Sequence, residues 1–299
     1  MLRRLVADLA DLPGIVVDTV IDENEADVPA TRIHRVRSAP EARAAWQRLT
    51  AAADLFWPIA PESAGTLAEI VATASRIGCR VLASDLRAIE IAAKKSATAQ
   101  LLEEHGIPCV PTQPAIDPIP ASAHGWVVKP DDGVGCEDAW HFASRDAVNR
   151  WRDQHSFPGH VIQPFIPGPP LSLSVLAQDG EAWVLSCNVQ DVRCSGGSFA
   201  YYGGWTGGAE HRREALEPMA AAIARALPGL WGYIGIDLVD SPDGPVVLEI
   251  NPRLTTSYTG LRASIGRNPA ELVLAMLSAP LAQLRQPLAP RPVRIEAGT

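Results

Sequence analysis

The sequence predicts a chain of mixed α/β and α+β class that divides into several subdomains. The N-terminal third alternates helical and strand patterns, which is typical of an α/β domain. Later segments form successive strand patterns separated by glycine- and proline-rich bends, as in antiparallel sheets. A length of 299 residues with 47% hydrophobic residues is sufficient for more than one core.

Residues 1–93 have the pattern of a small, doubly wound, partly parallel sheet. Domains of this type normally open with a strand, whereas this chain opens with a helical pattern. Two explanations stay open: a first strand lost through a late start codon or truncation, or a domain that begins with a helix. The predicted elements are helices at 2–11 and 66–77 and strands at 15–21, 54–59 and 80–83.

A helical pattern at 89–105 ends at Gly106, which is a favourable helix stop. Further along, a strand pattern at 126–129 ends in Lys129 and leads into the glycine-containing loop 130–136. Such a lysine offers a cation, and such a loop offers free backbone N–H groups, to a polyphosphate. The spacing is neither a Walker A loop nor GxGxxG, so the loop alone is better explained as a β-turn with a solvated lysine.

Strand patterns at 159–165, 171–177 and 183–190 predict an antiparallel layer. Residues 195–208 are rich in glycine and aromatic side chains. We interpret them as a mobile loop that closes over a substrate, with an ordinary surface loop as the equal alternative. The remaining predicted elements are helices at 214–227 and 269–277, strands at 233–240 and 246–253, and a flexible tail at 281–299.

Two strand patterns on either side of a turn at 241–245 carry two carboxylates and an amide. With that turn, Asp237 lies directly opposite Glu249, and Asn251 follows on the same face. Like charges that face each other on adjacent strands are destabilising. A divalent cation reverses this effect, because carboxylate and amide oxygens suit Mg²⁺ that also binds phosphate. The pattern therefore indicates nucleotide chemistry.

The composition narrows the functional class. A formal net charge of −8 without a block of Lys or Arg argues against nucleic acid or a membrane surface as a partner. The N-terminus lacks a signal-peptide pattern, and no apolar run reaches the length of a bilayer span. Five scattered cysteines favour reduced thiols over disulfides or a zinc site. The sequence therefore predicts a cytoplasmic protein that acts on small molecules, and its assembly as a homodimer is left open.

Five short motifs occur in an order that resembles the ATP-grasp superfamily of carboxylate-amine ligases. They are KSAT at 95–98 with GIP at 106–108, VVKPDDGVG at 127–135, VIQPFIPG at 161–168, GIDLV at 235–239 and LEINPR at 248–253. The resemblance covers essentially the whole chain. It implies a pre-ATP-grasp-like, Rossmann-like domain at 1–93 that lacks its first strand, a small ATP-grasp subdomain at 94–165, a catalytic subdomain at 166–280 and the flexible tail at 281–299.

The resemblance also implies roles for individual residues. Lys129 and Arg253 would act in catalysis, and Arg253 would steady an acyl phosphate or its tetrahedral successor. Asp237, Glu249 and Asn251 would bind Mg²⁺ or Mn²⁺ beside ATP. The ATP-binding residues would be the phosphate contacts Lys95 and Lys129, the mobile loop of Asp131, Asp132, Gly133, Val134, Gly135 and Cys136, and the adenine linker of Gln163, Pro164, Phe165 and Ile166. The ribose contact is unassigned.

Within the superfamily, residues 171–176, 187–190, 201–204 and 251–262 are most similar to the tyramine-glutamate ligases. This closer resemblance implies γ-glutamyl transfer onto tyramine or a tyrosine-like amine in the biosynthesis of methanofuran-type cofactors. Two alternatives stay open. One is another ATP-grasp ligase, either dipeptide-forming or carboxylating, and the other is a catalytically inactive nucleotide-binding sensor.

The substrate contacts are the least specific part of the prediction. Aromatic side chains such as Tyr201, Tyr202 and Trp205 more often belong to a core than to a substrate site. Glu62 is interpreted as a charge that favours the N-terminus of the following helix rather than as a substrate contact. The candidate substrate residues are Asn188, Gln190, Tyr201, Tyr202 and Arg253, with Trp205 as a further aromatic.

Overall fold

The computed structural model describes residues 1–155 and 157–297. Within these residues, no helix is long and apolar enough to cross a membrane. The helices are α1 (Leu2–Ala10), α2 (Ala39–Thr50), α3 (Thr66–Ile77), α4 (Leu86–Ala92), α5 (Lys95–Glu104), α6 (Arg145–Gln154), α7 (Arg213–Ala226), α8 (Tyr258–Ile265), α9 (Pro269–Ala275) and α10 (Leu281–Leu284). The strands are β1 (Asp18–Asp22), β2 (Arg32–Val36), β3 (Leu55–Phe56), β4 (Arg80–Val81), β5 (Gln113–Pro114), β6 (Trp126–Pro130), β7 (Trp140–Phe142), β8 (His160–Pro164), β9 (Pro170–Gln178), β10 (Glu181–Ser195), β11 (Ser198–Thr206), β12 (Gly232–Ser241), β13 (Gly244–Asn251) and β14 (Val293–Glu296).

The N-terminal region contains two short parallel strand pairs instead of the single doubly wound sheet expected from the sequence. β1 pairs with β2, and β3 pairs with β4. The sequence of β2, RIHRV, carries no apolar run, and none of its residues is buried, which explains why it was not predicted. α2, also not predicted, begins after Ser38, whose hydroxyl accepts a hydrogen bond from the Glu41 backbone N–H.

Helix α1 packs against the C-terminal part of the chain. Leu5 belongs to the same buried cluster as Tyr258 and other residues of α8 and α9. The buried Asp8 carboxylate accepts a hydrogen bond from Arg262 Nη1 at 3.1 Å, and its backbone oxygen accepts one from Asn268 Nδ2 at 2.7 Å. These contacts fix the N-terminal region against the C-terminal half of the molecule.

The helical stretch predicted at 89–105 is two helices, α4 and α5. Lys94 has an extended backbone, with φ −116° and ψ 119°, and separates them. The Asp131 carboxylate then caps α5, because it accepts hydrogen bonds from Ser96 N at 2.8 Å and from Ser96 Oγ at 2.6 Å. A cap that comes from a loop distant in sequence is not visible in the local pattern.

A single large antiparallel sheet forms the rest of the fold. Its strand order is β13-β12-β9-β10-β11-β7-β6-β8-β5, and β14 pairs with β11 outside this path. The two halves of the sheet meet at one paired position, Ser198 with Trp140. Helix α7 covers one face of the β9–β10–β12 part, where Leu216 and Ile223 are buried in the largest apolar cluster.

Two predictions for this sheet are wrong. The glycine-aromatic stretch 195–208 is not a mobile loop, because most of it forms β11, which is paired with β10 on one side and with β14 and β7 on the other. The tail predicted as flexible contains α10 and β14, and β14 pairs with residues 203–206. Residues 298–299 of that prediction lie outside the described residues.

Candidate functional site

A cleft of about 380 Å³ lies where the two halves of the large sheet meet. One wall comes from β6, β8 and the loop after β6, and the other comes from β10, β11, β12 and β13. Of the predicted site residues, those that line the cleft are Lys95, Lys129, Gly133, Val134, Gly135, Cys136, Gln163, Pro164, Phe165, Ile166, Gln190, Tyr201, Asp237, Glu249, Asn251 and Arg253. Those that the structure places outside the lining are Asp131, Asp132, Asn188 and Tyr202.

The β12–β13 hairpin brings the two predicted carboxylates face to face. Asp237 pairs with Glu249, as expected, although the turn differs from the predicted one. Ser241 pairs with Gly244, so the turn is shorter than 241–245, and an irregularity at Leu248 restores the expected pairing. The register therefore comes from a bulge that the sequence did not reveal.

Burial and charge make this pair of carboxylates electrostatically costly. Burial raises the pKa of Asp237 above its usual range, and the charge of Glu249 raises it further. Burial would also raise the pKa of Glu249, but the cations Lys95 and Lys129 outweigh it and hold that pKa below its ordinary value. The two carboxylates thus differ in protonation tendency, because the lysines and the hydrogen bond between the two carboxyl groups lower the pKa of Glu249, while the same hydrogen bond raises that of Asp237.

Lys95 and Lys129 reach the same cleft from different elements. Lys95, at the start of α5, is buried and donates a hydrogen bond from Nζ to the Gly133 backbone oxygen at 2.6 Å. Its Nζ lies 3.7 Å from Glu249 Oε2. Burial lowers the pKa of Lys129, on β6, to about 8, and the charge of Lys95 adds to this effect. Two cations in a partly apolar cleft are suited to an anionic ligand.

The residues around Asp237 fit a divalent cation that is shared with a ligand. Asp237 Oδ1 accepts a hydrogen bond from Gln190 Nε2 at 2.9 Å, and Oδ2 accepts one from Asn251 Nδ2 at 3.0 Å. Among the described residues, no three His, Cys, Asp or Glu side chains gather to hold a metal. Two carboxylates and one amide therefore suit Mg²⁺ only when phosphate or water oxygens complete its coordination.

Comparison with family models identifies the family of this chain. Residues 92–257 match the model of the ATP-grasp domain, and residues 15–89 match that of the pre ATP-grasp 3 domain. The chain belongs to the ATP-grasp family. The ATP-grasp fold with an N-terminal pre-ATP-grasp domain, predicted from the sequence, is thereby confirmed.

Three proteins illustrate the ATP-grasp relationship. The tyramine–L-glutamate ligase of Methanocaldococcus jannaschii is 32% identical over 104 residues, which are 35% of this chain and 32% of that protein. The match thus spans about a third of the length of that relative. A solved ATP-grasp superfamily protein of Archaeoglobus fulgidus has a TM-score of 0.61 at 27% identity, over 82% of this chain and 70% of its own. The L-amino acid ligase of Bacillus licheniformis shares the fold, with a TM-score of 0.70 at 20% identity, over 90% and 69% of the two chains.

The loop predicted to cover ATP phosphates divides into two parts. Its second part, residues 133–136, lines the cleft and has left-handed backbone at Gly135 (φ 65°) and Cys136 (φ 68°). Its first part does not line the cleft, because Asp131 caps α5 and Asp132 Oδ2 accepts a hydrogen bond from Ala64 N at 3.2 Å. The two aspartates therefore anchor the loop, which corrects their assignment as direct ATP contacts.

The linker predicted to meet adenine lines the cleft with Gln163, Pro164, Phe165 and Ile166. The buried Gln163 side chain donates a hydrogen bond from Nε2 to Thr112 Oγ1 at 2.8 Å. This side-chain donor is therefore already used within the protein. The Phe165 backbone N–H also donates within the protein, to the Gly125 oxygen at 2.8 Å, and contact of this linker with adenine stays a prediction.

Asn188 is a structural residue of the sheet rather than a substrate contact. It is 1% exposed and donates hydrogen bonds to Ser174 Oγ at 3.1 Å and Ser172 Oγ at 3.3 Å. Its Oδ1 accepts hydrogen bonds from Ser186 Oγ at 2.8 Å and Gly207 N at 3.0 Å. Its hydrogen bonds thus connect β9, β10 and the end of β11, which corrects the sequence-based prediction.

Tyr201 and Tyr202 are adjacent on β11 and therefore point to opposite faces of the sheet. Tyr201 lines the cleft, and its pKa is raised to about 12, first by burial and then by the charge of Asp237. Tyr202 is 53% exposed, and the Arg193 guanidinium lies 4.6 Å from its ring centre. Only Tyr201 can meet a ligand in the cleft, and the prediction for Tyr202 is wrong.

Several cleft residues were missed in the sequence. Thr255, Thr256 and Ser257 line the cleft and begin two residues after Arg253. In the sequence, this run of hydroxyl side chains after the predicted strand at 246–253 could have indicated them. The sequence did not reveal the contact of Glu62: this residue is buried, and its Oε2 accepts a hydrogen bond from Arg253 Nε at 2.7 Å. Its side chain makes no capping hydrogen bond to the short helix that follows it, and a role for its charge in the helix dipole stays a prediction.

Proposed function

We propose that the protein is an ATP-dependent ligase that joins a carboxylate to an amine through an acyl phosphate. The observation that supports this most directly is the joint lining of one cleft by Asp237 and Glu249, two lysines and Arg253. A binding module needs no second partly buried carboxylate beside the first, because that arrangement is costly without a cation. The inactive sensor is therefore the weaker alternative.

The reaction needs activation of the carboxylate before the amine attacks. The carboxylate oxygen takes the γ-phosphoryl group of ATP, ADP leaves, and the amine then displaces phosphate to form the amide. Charge that develops on the phosphoryl oxygens is stabilised by fixed cations, for which we propose Lys95 and Lys129. We further propose that Arg253 steadies the acyl phosphate, because it lines the cleft beyond Asn251.

Mg²⁺ would supply charge neutralisation between phosphate groups and would be held by Asp237, Glu249 and Asn251. The amide donors of Gln190 and Asn251 hold the Asp237 carboxylate in place for that purpose. Residues 133–136 would bring backbone N–H groups to the phosphates, since two of them adopt left-handed backbone. Water must be excluded at this stage, because it would hydrolyse the acyl phosphate.

For the substrates, we propose γ-glutamyl transfer onto tyramine or a tyrosine-like amine. Support comes from the named relative of Methanocaldococcus jannaschii, which matches over a third of the chain. Further support comes from Tyr201, whose ring lines the cleft near Asp237 and offers an aromatic surface to such an amine. A role in methanofuran-type cofactor biosynthesis, a cytoplasmic location and a homodimer remain predictions, as do the domain boundaries at 93, 165 and 280.

The test is ADP release with Mg²⁺ against a grid of amino acids and amines, with the product mass measured for each active pair. We expect L-glutamate with tyramine or tyrosine to give ADP and an amide of the summed mass less water. Another active pair would keep the ligase but reject the glutamyl specificity. ADP release without an amide in every pair, or no ADP at all, would reject the ligase.

A further inference from the structure

Glu62 connects the N-terminal region to the cleft through Arg253. The hydrogen bond between Glu62 Oε2 and Arg253 Nε is 2.7 Å long and joins residues 191 positions apart. The two side chains are 5% and 13% exposed. Because the partners belong to different parts of the fold, this ion pair exists only when the N-terminal region is docked.

The contacts of Arg253 leave one end of its guanidinium for a ligand. Nε is bound to Glu62, and Nη1 donates to the Leu254 backbone oxygen at 3.0 Å. Among the described residues, no acceptor is bound to Nη2. A guanidinium held by two of its nitrogens has a defined plane, so its third nitrogen is presented in a fixed direction.

The environment of Glu62 is poor for a carboxylate. Its Oε1 is buried and has no partner among the described residues. Burial raises the pKa of Glu62, although Arg253 opposes this effect. A buried carboxylate with one unpartnered oxygen is costly, and removal of its arginine partner would leave the charge uncompensated. Such a residue contributes little to stability, which points to a role in orienting Arg253.

We propose that Glu62 is a positioning residue that orients Arg253, so that docking of the N-terminal region prepares the guanidinium for the acyl phosphate. The identity of that ligand rests on the proposed function. Without Glu62, the long arginine side chain can adopt several rotamers, and a displacement of about 1 Å at a reacting group can cost ~10²-fold in rate.

Glu62→Gln tests this proposal, with Asp8→Asn as the matched control. Asp8 is also buried, also has one unpartnered oxygen and also pairs with an arginine of the C-terminal half, but that arginine, Arg262, lies outside the cleft lining. We expect Glu62→Gln to lower kcat for ADP release by ~10–100-fold with little change in KM for ATP. Asp8→Asn should lower the melting temperature and leave kcat unchanged.

A double-mutant cycle shows whether Glu62 acts through Arg253. In an Arg253→Lys background, Glu62→Gln should cause no further loss of kcat, because the group that it orients is already absent. An equal fold-loss in both backgrounds would overturn the proposal. If Glu62→Gln does not fold, Glu62→Asp keeps the charge but shortens the reach, and it should show the same dependence on Arg253.

A measurement without substrates separates this inference from the proposed function. In ¹⁵N-arginine-labelled protein, the Arg253 Nε–H signal is identified by its loss in Arg253→Lys. Its exchange with water should be slow in the unmodified protein and in Asp8→Asn, and at least ~10-fold faster in Glu62→Ala, because the acceptor of the hydrogen bond is lost. Unchanged exchange in Glu62→Ala would overturn the positioning role. The expected exchange without any amide product would reject the ligase and leave the positioning of Arg253 intact.

Discussion

Two sets of cleft residues, which we call the carboxylate end and the hydroxyl end after their chemistry, are built on different principles. The carboxylate end consists of Asp237, Glu249, Lys95 and Lys129, and the hydroxyl end consists of Tyr201, Arg253, Thr255, Thr256 and Ser257. At the carboxylate end, charges of both signs that are buried or partly buried lie on paired strands and at a helix start. At the hydroxyl end, neutral hydroxyl groups line the cleft together with one arginine that is held by a residue of the N-terminal region. Substitutions at the carboxylate end should affect ADP release with every substrate, and substitutions at the hydroxyl end should affect which substrates are used.

The largest effect is expected from Glu249→Gln at the carboxylate end. Loss of this charge removes a proposed metal ligand and the partner of Lys95, so ADP release should fall by ~10³-fold or more. The fold should persist, because the substitution also removes the repulsion that raises the pKa of Asp237. ADP release and thermal unfolding measure the two effects. Asp243→Asn, an exposed position in the same hairpin, is the control, and equal turnover in both variants would contradict the metal assignment.

The lowered pKa of Lys129, which also belongs to the carboxylate end, predicts how activity depends on pH. Its pKa is lowered by burial from 10.5 to about 8, so kcat/KM for ATP should fall above pH ~8 as the cation is lost. Lys129→Arg keeps its charge and should show no fall near that pH. Steady-state rates from pH 6 to 10 test this. A parallel decline in both proteins would place the titration elsewhere.

The free energy of unfolding should change with pH in the direction opposite to kcat/KM for ATP. Since the folded pKa of Lys129 lies below its unfolded value, the unfolded chain binds more protons between these values. The free energy of unfolding should therefore rise with pH from about 8 to 10.5 through this group. Urea unfolding of Lys129→Met should lack that contribution, and an identical pH trend in both proteins would contradict the lowered pKa.

The carboxylate end was predictable because its key contact joins neighbouring strands of one hairpin. Even there, the bulge at Leu248 was invisible in the sequence. The sequence predicted a loop in place of β11 because this segment is rich in glycine. A Cβ at Gly203 or Gly204 would collide with backbone oxygens of β14 and β10. Close pairing of the strands therefore requires these glycines. The contact between Glu62 and Arg253 depends on how distant parts of the chain dock, which no local pattern encodes.

Substitution of Asn188 tests whether this residue supports the strands beside the hydroxyl end or contacts a substrate. Among the described residues, Asn188→Ala leaves the Ser186 hydroxyl and the Gly207 N–H without a partner. It also removes one partner each from Ser172 and Ser174, which keep their contacts with Ser257 and Tyr233. The free energy of unfolding should fall by roughly 1–3 kcal/mol, as for other buried polar groups left unsatisfied. Urea denaturation measures this loss. Asn24→Ala, at an exposed turn, should change it little, and a change in amine selectivity without a loss of stability would restore Asn188 as a substrate contact.

The smallest effect is expected from substitutions of the two adjacent tyrosines on β11. Tyr201→Phe removes a hydroxyl that lines the cleft near Thr256, so KM for the amine should rise by ~2–10-fold while KM for ATP stays constant. Tyr202→Phe removes a hydroxyl on the other face, where the ring packs under Arg193, and should leave both constants unchanged. Amine titrations at saturating ATP compare the variants. Equal shifts in both would mean that the tyrosines act through the stability of β11, and a rise in KM for ATP with Tyr201→Phe would show that the two ends of the cleft are not separate.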